Sequence, residues 1–328
     1  MNSPRVLVTG ASGFVGRAVC NALISSGRPI VVAGRTKSTL AQLQQIAGKD
    51  IPVVEVGDIG AQTDWTQALE EVDAVVHLAA RVHMMKDCAT NSLAEFHKVN
   101  VEGTARLAHQ ASRLGVRRFV FISTVKVNGE STTNKPFDER DPPHPVDPYA
   151  LSKYEAEELL RQLAAVTGME IVILRPPLVY GEGVGANFLR LLELVERGIP
   201  LPLASVNNRR SLLYLGNLVD AITTCLIDPR AAGETFFVSD GCDISTSELI
   251  RRIALFSGRK ANIWPFPVSV LRSIAKLAGS SVGARLLGSL AVDCRKIREK
   301  LDWRPPYSLD DGIGNTVRWY RKSRLSVR

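Results

Sequence analysis

The sequence predicts an α/β fold in which a doubly wound parallel sheet is covered by helices on both faces. Short apolar runs alternate with longer amphipathic stretches through the first half of the chain. The first apolar run, Val6–Val8, leads into glycines at every third position, Gly10, Gly13 and Gly16. Apolar strands that alternate with helices are typical of a buried parallel sheet, and these observations together set the fold class.

The individual elements follow from the same periodicities. Strands are predicted at 6–9, 29–33, 52–56, 74–78, 119–123 and 171–174. Helices are predicted at 38–47, 63–70, 91–114 and 149–166, and a strand at 235–238 should return to the main sheet. Beyond Pro176 the helices shorten and proline-rich connections appear. We therefore expect a first domain over 1–176, with returning segments near 211–240, and a smaller interleaved α/β lobe over 177–328.

The glycine turn indicates a phosphate-binding site. Glycine allows a sharp turn, and without a Cβ it lets phosphate oxygens approach the backbone. Apolar residues continue at helical spacing after Gly16, so the turn opens a helix whose first N–H groups face the anion. A strand, a glycine turn and a helix in this order are typical of a Rossmann-type dinucleotide site. The alternative is an ordinary strand-to-helix turn.

Composition excludes several other classes of protein. The 41 Lys and Arg against 33 Asp and Glu give a net charge of +8, but no basic motif is interleaved with aromatic residues. Nucleic acid is therefore not an expected partner. The 5 cysteines are scattered without metal-ligand spacing, which favours a reducing compartment and predicts no metal site. With no signal sequence and no apolar stretch long enough to span a bilayer, we expect a cytoplasmic protein without stable membrane insertion.

A Tyr–Lys pair provides candidate acid–base chemistry. Thr124 directly follows the fifth predicted strand, so its hydroxyl should lie at the carboxyl edge of the sheet. Tyr149 opens the next helix, and Lys153 lies four residues later on the same helical face. A neighbouring ammonium stabilises phenolate and should lower the pKa of the phenol toward neutrality. We therefore predict Thr124, Tyr149 and Lys153 as catalytic residues, against the alternative of a chance spacing on a surface helix.

Several motifs together resemble the extended short-chain dehydrogenase/reductase family over nearly the whole chain. They are Thr9-Gly10-x-x-Gly13-Phe14-x-Gly16, Gly57-Asp58-Ile59, His77-Leu78-Ala79-Ala80, Asn100-Val101-x-Gly103-Thr104, Ser123-Thr124, Tyr149-x-x-x-Lys153, Arg175-Pro176 and Leu301-Asp302-Trp303-x-Pro305. The resemblance implies that Asp58 and Ile59 hold an adenine ring, and that Lys153 also binds the nicotinamide ribose. The cofactor-binding residues that it implies are Gly10, Ser12, Gly13, Phe14, Val15, Gly16, Arg35, Asp58, Ile59, Leu78, Ala79, Ala80, Asn100, Ser123, Tyr149, Lys153, Pro176 and Val179.

Within this family the chain most resembles enzymes that act on nucleotide sugars. Asn187 matches a position that contacts the diphosphate, and Arg210 matches one that pairs with phosphate, with the adjacent Arg209 as the alternative. The substrate-binding residues that the resemblance implies are His83, Thr124, Lys126, Tyr149, Asn187, Arg210 and Arg285. The implied partner is a UDP-linked sugar.

Two departures from the family pattern bear on the reaction. Arg35 follows the second strand where relatives that use NAD have an acidic residue, so NADP(H) is favoured and NAD(H) is the alternative. Lys126 and Asn128 stand where sugar 4-epimerases commonly have a small residue and a tyrosine. The stretch is similar to 4-reductases that produce UDP-N-acetyl-quinovosamine for lipopolysaccharide.

We therefore expect reduction of a UDP-linked 4-keto-6-deoxy-N-acetylhexosamine at C4. The alternative reaction is 4-epimerisation of UDP-glucose or UDP-N-acetylglucosamine, and a remote alternative is a non-catalytic, cofactor-binding sensor or scaffold. Relatives pair the two long helices, 91–114 and 149–166, with their counterparts in a four-helix bundle. The resemblance therefore also implies a homodimer.

Overall fold

The computed structural model describes residues 4–36, 41, 51–82, 92–277, 283 and 286–325. The strands are β1 (Val6–Thr9), β2 (Ile30–Gly34), β3 (Val53–Glu55), β4 (Ala74–His77), β5 (Arg118–Ile122), β6 (Glu170–Arg175), β7 (Leu178–Tyr180), β8 (Arg210–Tyr214), β9 (Thr235–Phe237) and β10 (Asp243–Ile244). The α-helices are α1 (Phe14–Ser25), α2 (Ser92–Phe96), α3 (Gly103–Arg113), α4 (Pro148–Thr167), α5 (Ala186–Glu196), α6 (Leu215–Ile227), α7 (Thr246–Phe256), α8 (Val268–Leu277), α9 (Arg295–Leu301) and α10 (Leu309–Leu325).

The main sheet is parallel and has the order β3-β2-β1-β4-β5-β6-β9. The predicted Rossmann-type α/β fold is confirmed, and the strand predicted at 235–238 is present as β9 beside β6. The chain moves outward from β1 in one direction to β2 and β3, and in the other to β4 and the strands beyond it. Ligands of such sheets bind at the carboxyl ends of the strands where this order reverses, here at the ends of β1 and β4.

The core lies on both faces of this sheet because successive strand residues point to opposite sides. Val6 and Val8 belong to the buried cluster on one face, together with Val19 and Leu23 of α1. Leu7 belongs to the cluster on the other face, which includes Leu107 of α3. All these side chains are almost completely buried, which explains why the strands are continuous apolar runs.

Two predicted helices differ from the structure. The stretch 63–70 forms only a 3₁₀ turn at Gln67–Leu69; the buried Trp65 precedes it and donates its backbone N–H to Gln110 Oε1 at 2.7 Å. The stretch 91–114 is helical from Ser92 to Arg113, but a π-helical segment, His97–Glu102, separates α2 from α3. Apart from Ala41, the helix predicted at 38–47 lies outside the described residues.

The second half of the chain has its own small sheet and core. The strands β10, β8 and β7 form a three-stranded sheet. A third buried cluster, which includes Tyr180, Phe188 and Leu192, packs beside it. The domain boundary at 176/177 stays a prediction. No helix of the described ranges is long and apolar enough to cross a membrane.

Candidate active site

The glycine turn joins β1 to α1 at the point where the strand order reverses. Gly10 has a φ of +67°, and a Cβ there would lie 2.7 Å from the backbone nitrogen of Ala79. Gly13 donates its backbone N–H to Gly10 O at 2.9 Å and begins α1 without a side-chain cap. A Cβ on Gly16 would lie 2.1 Å from Gly10 O, so the helix can approach the turn only with glycine at this position. The turn therefore has the shape that accommodates an anion.

A cleft of about 470 Å³ opens beside this turn, along the carboxyl ends of the strands. Nine of the residues predicted to bind cofactor line it: Gly10, Ser12, Gly13, Arg35, Asp58, Ile59, Leu78, Ala79 and Ala80. Other lining residues were not predicted, notably Trp65, Arg81, Val82, Glu95 and Lys98. None of these belongs to a recognisable motif. The helical pattern of 91–114 located Glu95 and Lys98 on the correct element, but nothing in it indicated which face meets the cleft.

Nine other predicted cofactor residues are not among those that line this cleft. They are Phe14, Val15, Gly16, Asn100, Ser123, Tyr149, Lys153, Pro176 and Val179. Val15 belongs to α1, and Val179 lies on β7, where it pairs with Leu213. Pro176 accepts a hydrogen bond from Val125 N at 3.0 Å, beside the end of β5. Their contacts with a cofactor stay predictions.

Asn100 connects the cleft to the helix that bears the candidate acid–base group. It is buried within the π-helical segment, accepts from Arg81 N at 2.8 Å and donates to Arg81 O at 3.1 Å. Its amide nitrogen also donates to Ser152 Oγ at 2.9 Å, and this hydroxyl donates to Tyr149 O at 2.8 Å. The side chain therefore orients the chain after β4 relative to the first turn of α4.

His77 is the centre of a buried set of hydrogen-bonded polar side chains. His77, at the end of β4, hydrogen-bonds Thr9 at 2.7 Å and Thr104 at 3.0 Å through its two ring nitrogens. Burial and, secondly, the nearby Lys153 charge lower the pKa of His77 to about 3, so the imidazole is neutral at physiological pH. It also stacks on Phe121 with ring centroids 5.9 Å apart. We interpret His77 as a group that supports the sheet edge.

Ser123 and Thr124 follow β5 as predicted. Ser123 donates its backbone N–H to Leu174 O at 2.8 Å, and its hydroxyl oxygen is buried without a hydrogen-bond partner among the described residues. A buried hydroxyl without a partner is costly, which indicates that a ligand atom can pair with it. Thr124 Oγ1 accepts from Lys126 N at 3.3 Å, which leaves the hydroxyl hydrogen available to donate.

Helix α4 starts at Pro148, where Asp147 caps it by accepting from Ala150 N at 2.7 Å. Tyr149 lies in the first turn, half-buried, with its ring edge against Phe96 at a centroid distance of 6.1 Å. Lys153, one turn later, is buried, and its Nζ lies 4.2 Å from the centroid of the Phe121 ring. Because Phe121 belongs to β5, this contact positions the lysine beside the strand that leads into Ser123 and Thr124.

The pKa values differ from the sequence prediction. Burial first, and the Asp147 charge second, raise the pKa of Tyr149 to about 12. Burial lowers the pKa of Lys153 to about 7, opposed by the charge of Glu157. The prediction that Lys153 lowers the pKa of Tyr149 toward neutrality is therefore wrong for the chain alone, because both groups are desolvated and the carboxylate acts against the phenolate.

Two of the predicted substrate-binding residues, Asn187 and Arg210, lie in the second half of the chain. Asn187 is half-buried in the first turn of α5, and Arg210 begins β8 and donates to Gly288 O at 3.2 Å. Arg209 is 63% exposed and pairs with Asp243 at 2.8 Å, so it is engaged with a carboxylate on the surface. His83 and Arg285 lie outside the described residues.

Lys126 and Asn128 have partners within the chain. Lys126 donates to Glu130 Oε1 at 2.8 Å and forms an ion pair with Asp147. Asn128 is buried, and its side-chain oxygen accepts from Arg175 Nη1 at 2.9 Å. Asn128 is thus part of an internal polar network. The described residues contain no group of three His, Cys, Asp or Glu that could hold a metal ion.

The sheet order, the glycine turn and the cleft are those of a Rossmann-type dinucleotide-binding protein. The model of the NAD dependent epimerase/dehydratase family matches residues 6–238. A UDP-glucose 4-epimerase from Vibrio cholerae is 43% identical over 316 residues, which cover 95% of this chain and 94% of the relative. The chain therefore belongs to the NAD dependent epimerase/dehydratase family, the nucleotide-sugar branch of the extended short-chain dehydrogenases/reductases, as the sequence motifs predicted.

Two further comparisons cover almost the whole chain. An N-acetyl-α-D-glucosaminyl-diphospho-ditrans,octacis-undecaprenol 4-epimerase from Escherichia coli O157:H7 is 28% identical over 330 residues, 96% of this chain and 94% of the relative. The crystal structure of UDP-glucuronic acid 4-epimerase from Bacillus cereus in complex with NAD has a TM-score of 0.78, with 24% identity and coverage of 97% and 99%. At this identity the structural likeness supports the fold alone.

Proposed function

We propose that the protein is an NAD(P)-dependent oxidoreductase that acts at C4 of a UDP-linked hexose. The observation that carries this proposal is that Thr124 directly follows β5, while Lys153, one turn after Tyr149 on α4, packs on Phe121 of the same strand. The three groups are a hydroxyl donor, a phenol and a buried ammonium, which suit proton exchange with a sugar oxygen.

In this proposal each side chain has a separate task. The Tyr149 hydroxyl gives its proton to the C4 oxygen during reduction and takes it back during oxidation. Thr124 donates a hydrogen bond to the same oxygen, because its own oxygen already accepts from Lys126 N. Lys153 is proposed to favour the phenolate relative to the same buried site without an ammonium, although burial keeps the pKa of Tyr149 raised in the chain alone. A bound nicotinamide dinucleotide would supply or accept the hydride at C4.

The residues present suit such a dinucleotide. The uncapped start of α1 and the close approach of Gly10 and Gly16 leave backbone N–H groups for a pyrophosphate. The unpartnered Ser123 hydroxyl lies at the end of β5. Arg35 is exposed directly after β2 and lines the cleft, where an arginine favours the 2′-phosphate of NADP(H). NAD(H) is the alternative, since a structural neighbour is in complex with NAD.

We expect Gly16→Ala to weaken dinucleotide binding by more than about tenfold, the equivalent of about 1.4 kcal/mol. The new Cβ would lie 2.1 Å from Gly10 O and must push the helix away from the turn. Gly27→Ala is the matched control at the other end of α1: it is strained by its φ of +70°, but nothing lies within 4 Å of its Cβ. Titration calorimetry with NADPH and NAD measures both variants. Equal losses of affinity would contradict the role of Gly16.

For the net reaction we favour reduction of UDP-2-acetamido-4-keto-2,6-dideoxyhexose to UDP-N-acetyl-quinovosamine or its C4 epimer. Arg35 supports this choice, because reductases that exchange their cofactor commonly draw on NADPH. The second candidate is 4-epimerisation, which the 43% identical Vibrio cholerae relative favours. The internal partners of Lys126 and Asn128 remove part of the sequence argument against an epimerase. A non-catalytic sensor or scaffold is the remote alternative.

Incubation with UDP-sugars tests this choice. We expect NADPH consumption only when a UDP-4-keto-6-deoxy-N-acetylhexosamine is supplied, and we expect Arg35→Ala to raise KM for NADPH more than KM for NADH. Formation of the C4 epimer of UDP-glucose or UDP-N-acetylglucosamine without added cofactor would overturn the reductase proposal in favour of the epimerase. Tight cofactor binding with no turnover of any UDP-sugar would instead favour the scaffold.

Three further expectations accompany the proposed function. A homodimer through the helical run 92–113 and α4 stays a prediction. So does a role in lipopolysaccharide or O-antigen synthesis, which is consistent with the lipid-linked substrate in the name of the Escherichia coli relative. Action in the cytoplasm also stays a prediction.

A further inference from the structure

We propose that Lys126 is a positioning residue that couples Thr124 to Tyr149, and that it acts through Asp147 rather than by binding the sugar. The inference rests on the proposed function, because it assigns Tyr149 the acid–base role. Lys126 occupies the 3₁₀ turn Val125–Val127 that directly follows Thr124. Its backbone and its side chain reach different parts of the site.

The backbone of Lys126 orients Thr124. Its N–H donates to Thr124 Oγ1 at 3.3 Å, which fixes the direction of the hydroxyl oxygen. The hydroxyl hydrogen then points away from Lys126 N, and it is this hydrogen that the proposed reaction uses. This contact is independent of the lysine side chain and is preserved when the side chain is replaced.

The side chain of Lys126 holds the start of α4. Its ammonium forms an ion pair with Asp147 Oδ2 and a 2.8 Å hydrogen bond with Glu130 Oε1. The other carboxylate oxygen of Asp147 accepts from Ala150 N at 2.7 Å and caps the helix. The exposed fractions of the Lys126 and Asp147 side chains are 20% and 17%, so the ion pair is shielded from solvent. Both oxygens of Asp147 are thereby engaged, one by the turn after β5 and one by the catalytic helix.

The charge of Asp147 opposes ionisation of the phenol. Asp147 lies two residues before Tyr149, and its carboxylate raises the pKa of Tyr149 in addition to burial. The Lys126 ammonium on the same carboxylate offsets that charge. Loss of the ammonium should therefore raise the pKa of Tyr149 further and release the helix start from the turn.

Lys153 lies one turn after Tyr149 on α4, and the helical run packed against Tyr149 presents the uncharged ring of Phe96. The ion pairs in that run and its neighbours are Arg81–Glu95, His97–Glu102 and His97–Glu155. Lys126, in contrast, contacts Asp147 directly.

The test is a pH profile of kcat for the full chain with cofactor and sugar at saturation. We expect Lys126→Met to lower kcat about tenfold, to leave KM for the sugar within about twofold, and to shift the alkaline limb upward by about one pH unit. Asp147→Asn keeps a good capping residue but removes the charge. The double variant Lys126→Met/Asp147→Asn should therefore restore the limb and most of kcat, and Lys126→Arg should retain activity.

Controls separate this proposal from its alternatives. Lys135→Met removes a lysine from a 2.6 Å ion pair with Asp141 in the loop that follows, and we expect it to leave the profile unchanged. A rise of KM at unchanged kcat in Lys126→Met, without rescue by Asp147→Asn, would overturn the proposal and make Lys126 a substrate ligand. An unmoved alkaline limb would also overturn it. Full activity of Tyr149→Phe would instead refute the proposed function itself.

Discussion

Replacement of Tyr149 by phenylalanine should lower kcat by about 10²–10⁴-fold, the usual contribution of a general acid–base group. The variant loses one hydroxyl and keeps the ring that packs edge-on against Phe96. We therefore expect substrate KM and thermal stability close to those of the parent protein. Steady-state kinetics with saturating cofactor measure the effect.

Tyr154→Phe is the matched control for this experiment. Tyr154 lies on the same helix, is half-buried and is outside the predicted site. It should retain parental turnover after the same loss of a hydroxyl. Near-parental turnover of Tyr149→Phe would refute the assignment of Tyr149, whereas a loss in both variants would indicate a general disturbance of α4.

The second large effect concerns stability. Arg175→Met should destabilise the fold by about 3–5 kcal/mol, because it leaves a buried carboxylate without its main partner. Glu157 is completely buried, and Arg175, only 4% exposed, donates to it through Nε at 2.9 Å and also through Nη2. Arg175 Nη1 also donates to Asn128 Oδ1 at 2.9 Å. The substitution therefore removes this hydrogen-bond donor from two buried groups, the Glu157 carboxylate and the Asn128 amide oxygen.

Urea denaturation followed by tryptophan fluorescence measures this loss. Arg161→Met is the control, since Arg161 pairs with the same Glu157 at 2.8 Å but is 38% exposed, and exposed pairs contribute about 0–1 kcal/mol. Similar free energies of unfolding for the two variants would contradict the claim that the buried Arg175 contact dominates. The carboxylate of Glu157 also favours the charged form of Lys153, so Arg175→Met tests how strongly the core supports the site.

The parts of the fold that sequence predicted well are those fixed by local patterns. The strands were found because their residues are buried on both faces, and the glycine turn because backbone geometry requires glycine at Gly10 and Gly16. The stretch 63–70 was predicted as a helix, whereas only Gln67–Leu69 forms a 3₁₀ turn, next to the buried Trp65 whose N–H bonds the distant Gln110 side chain. No periodicity within 63–70 contains that information.

Within the candidate site, the sequence located the reactive groups but not their electrostatics. Tyr149 and Lys153 were identified by spacing, yet the pKa of each is set first by burial, which only the tertiary structure provides, and second by Asp147 for Tyr149 and by Glu157 for Lys153. The same is true of Arg209 and Arg210. They are adjacent in sequence, but one pairs with Asp243 at the surface and the other reaches Gly288 O.

The π-helical segment His97–Glu102 sets how α2 is rotated about the helix axis relative to α3. A π-helix accommodates one extra residue per turn relative to an α-helix, so the segment changes the angular phase between α2 and α3. Conversion of this segment to α-helical geometry at unchanged length would rotate α2 by about 100° relative to α3. Phe96 would then leave Tyr149, and Glu95 would leave the cleft, while Leu107 kept its place in the core. A variant in which 97–102 adopts α-helical geometry at unchanged length should therefore fold and lose activity.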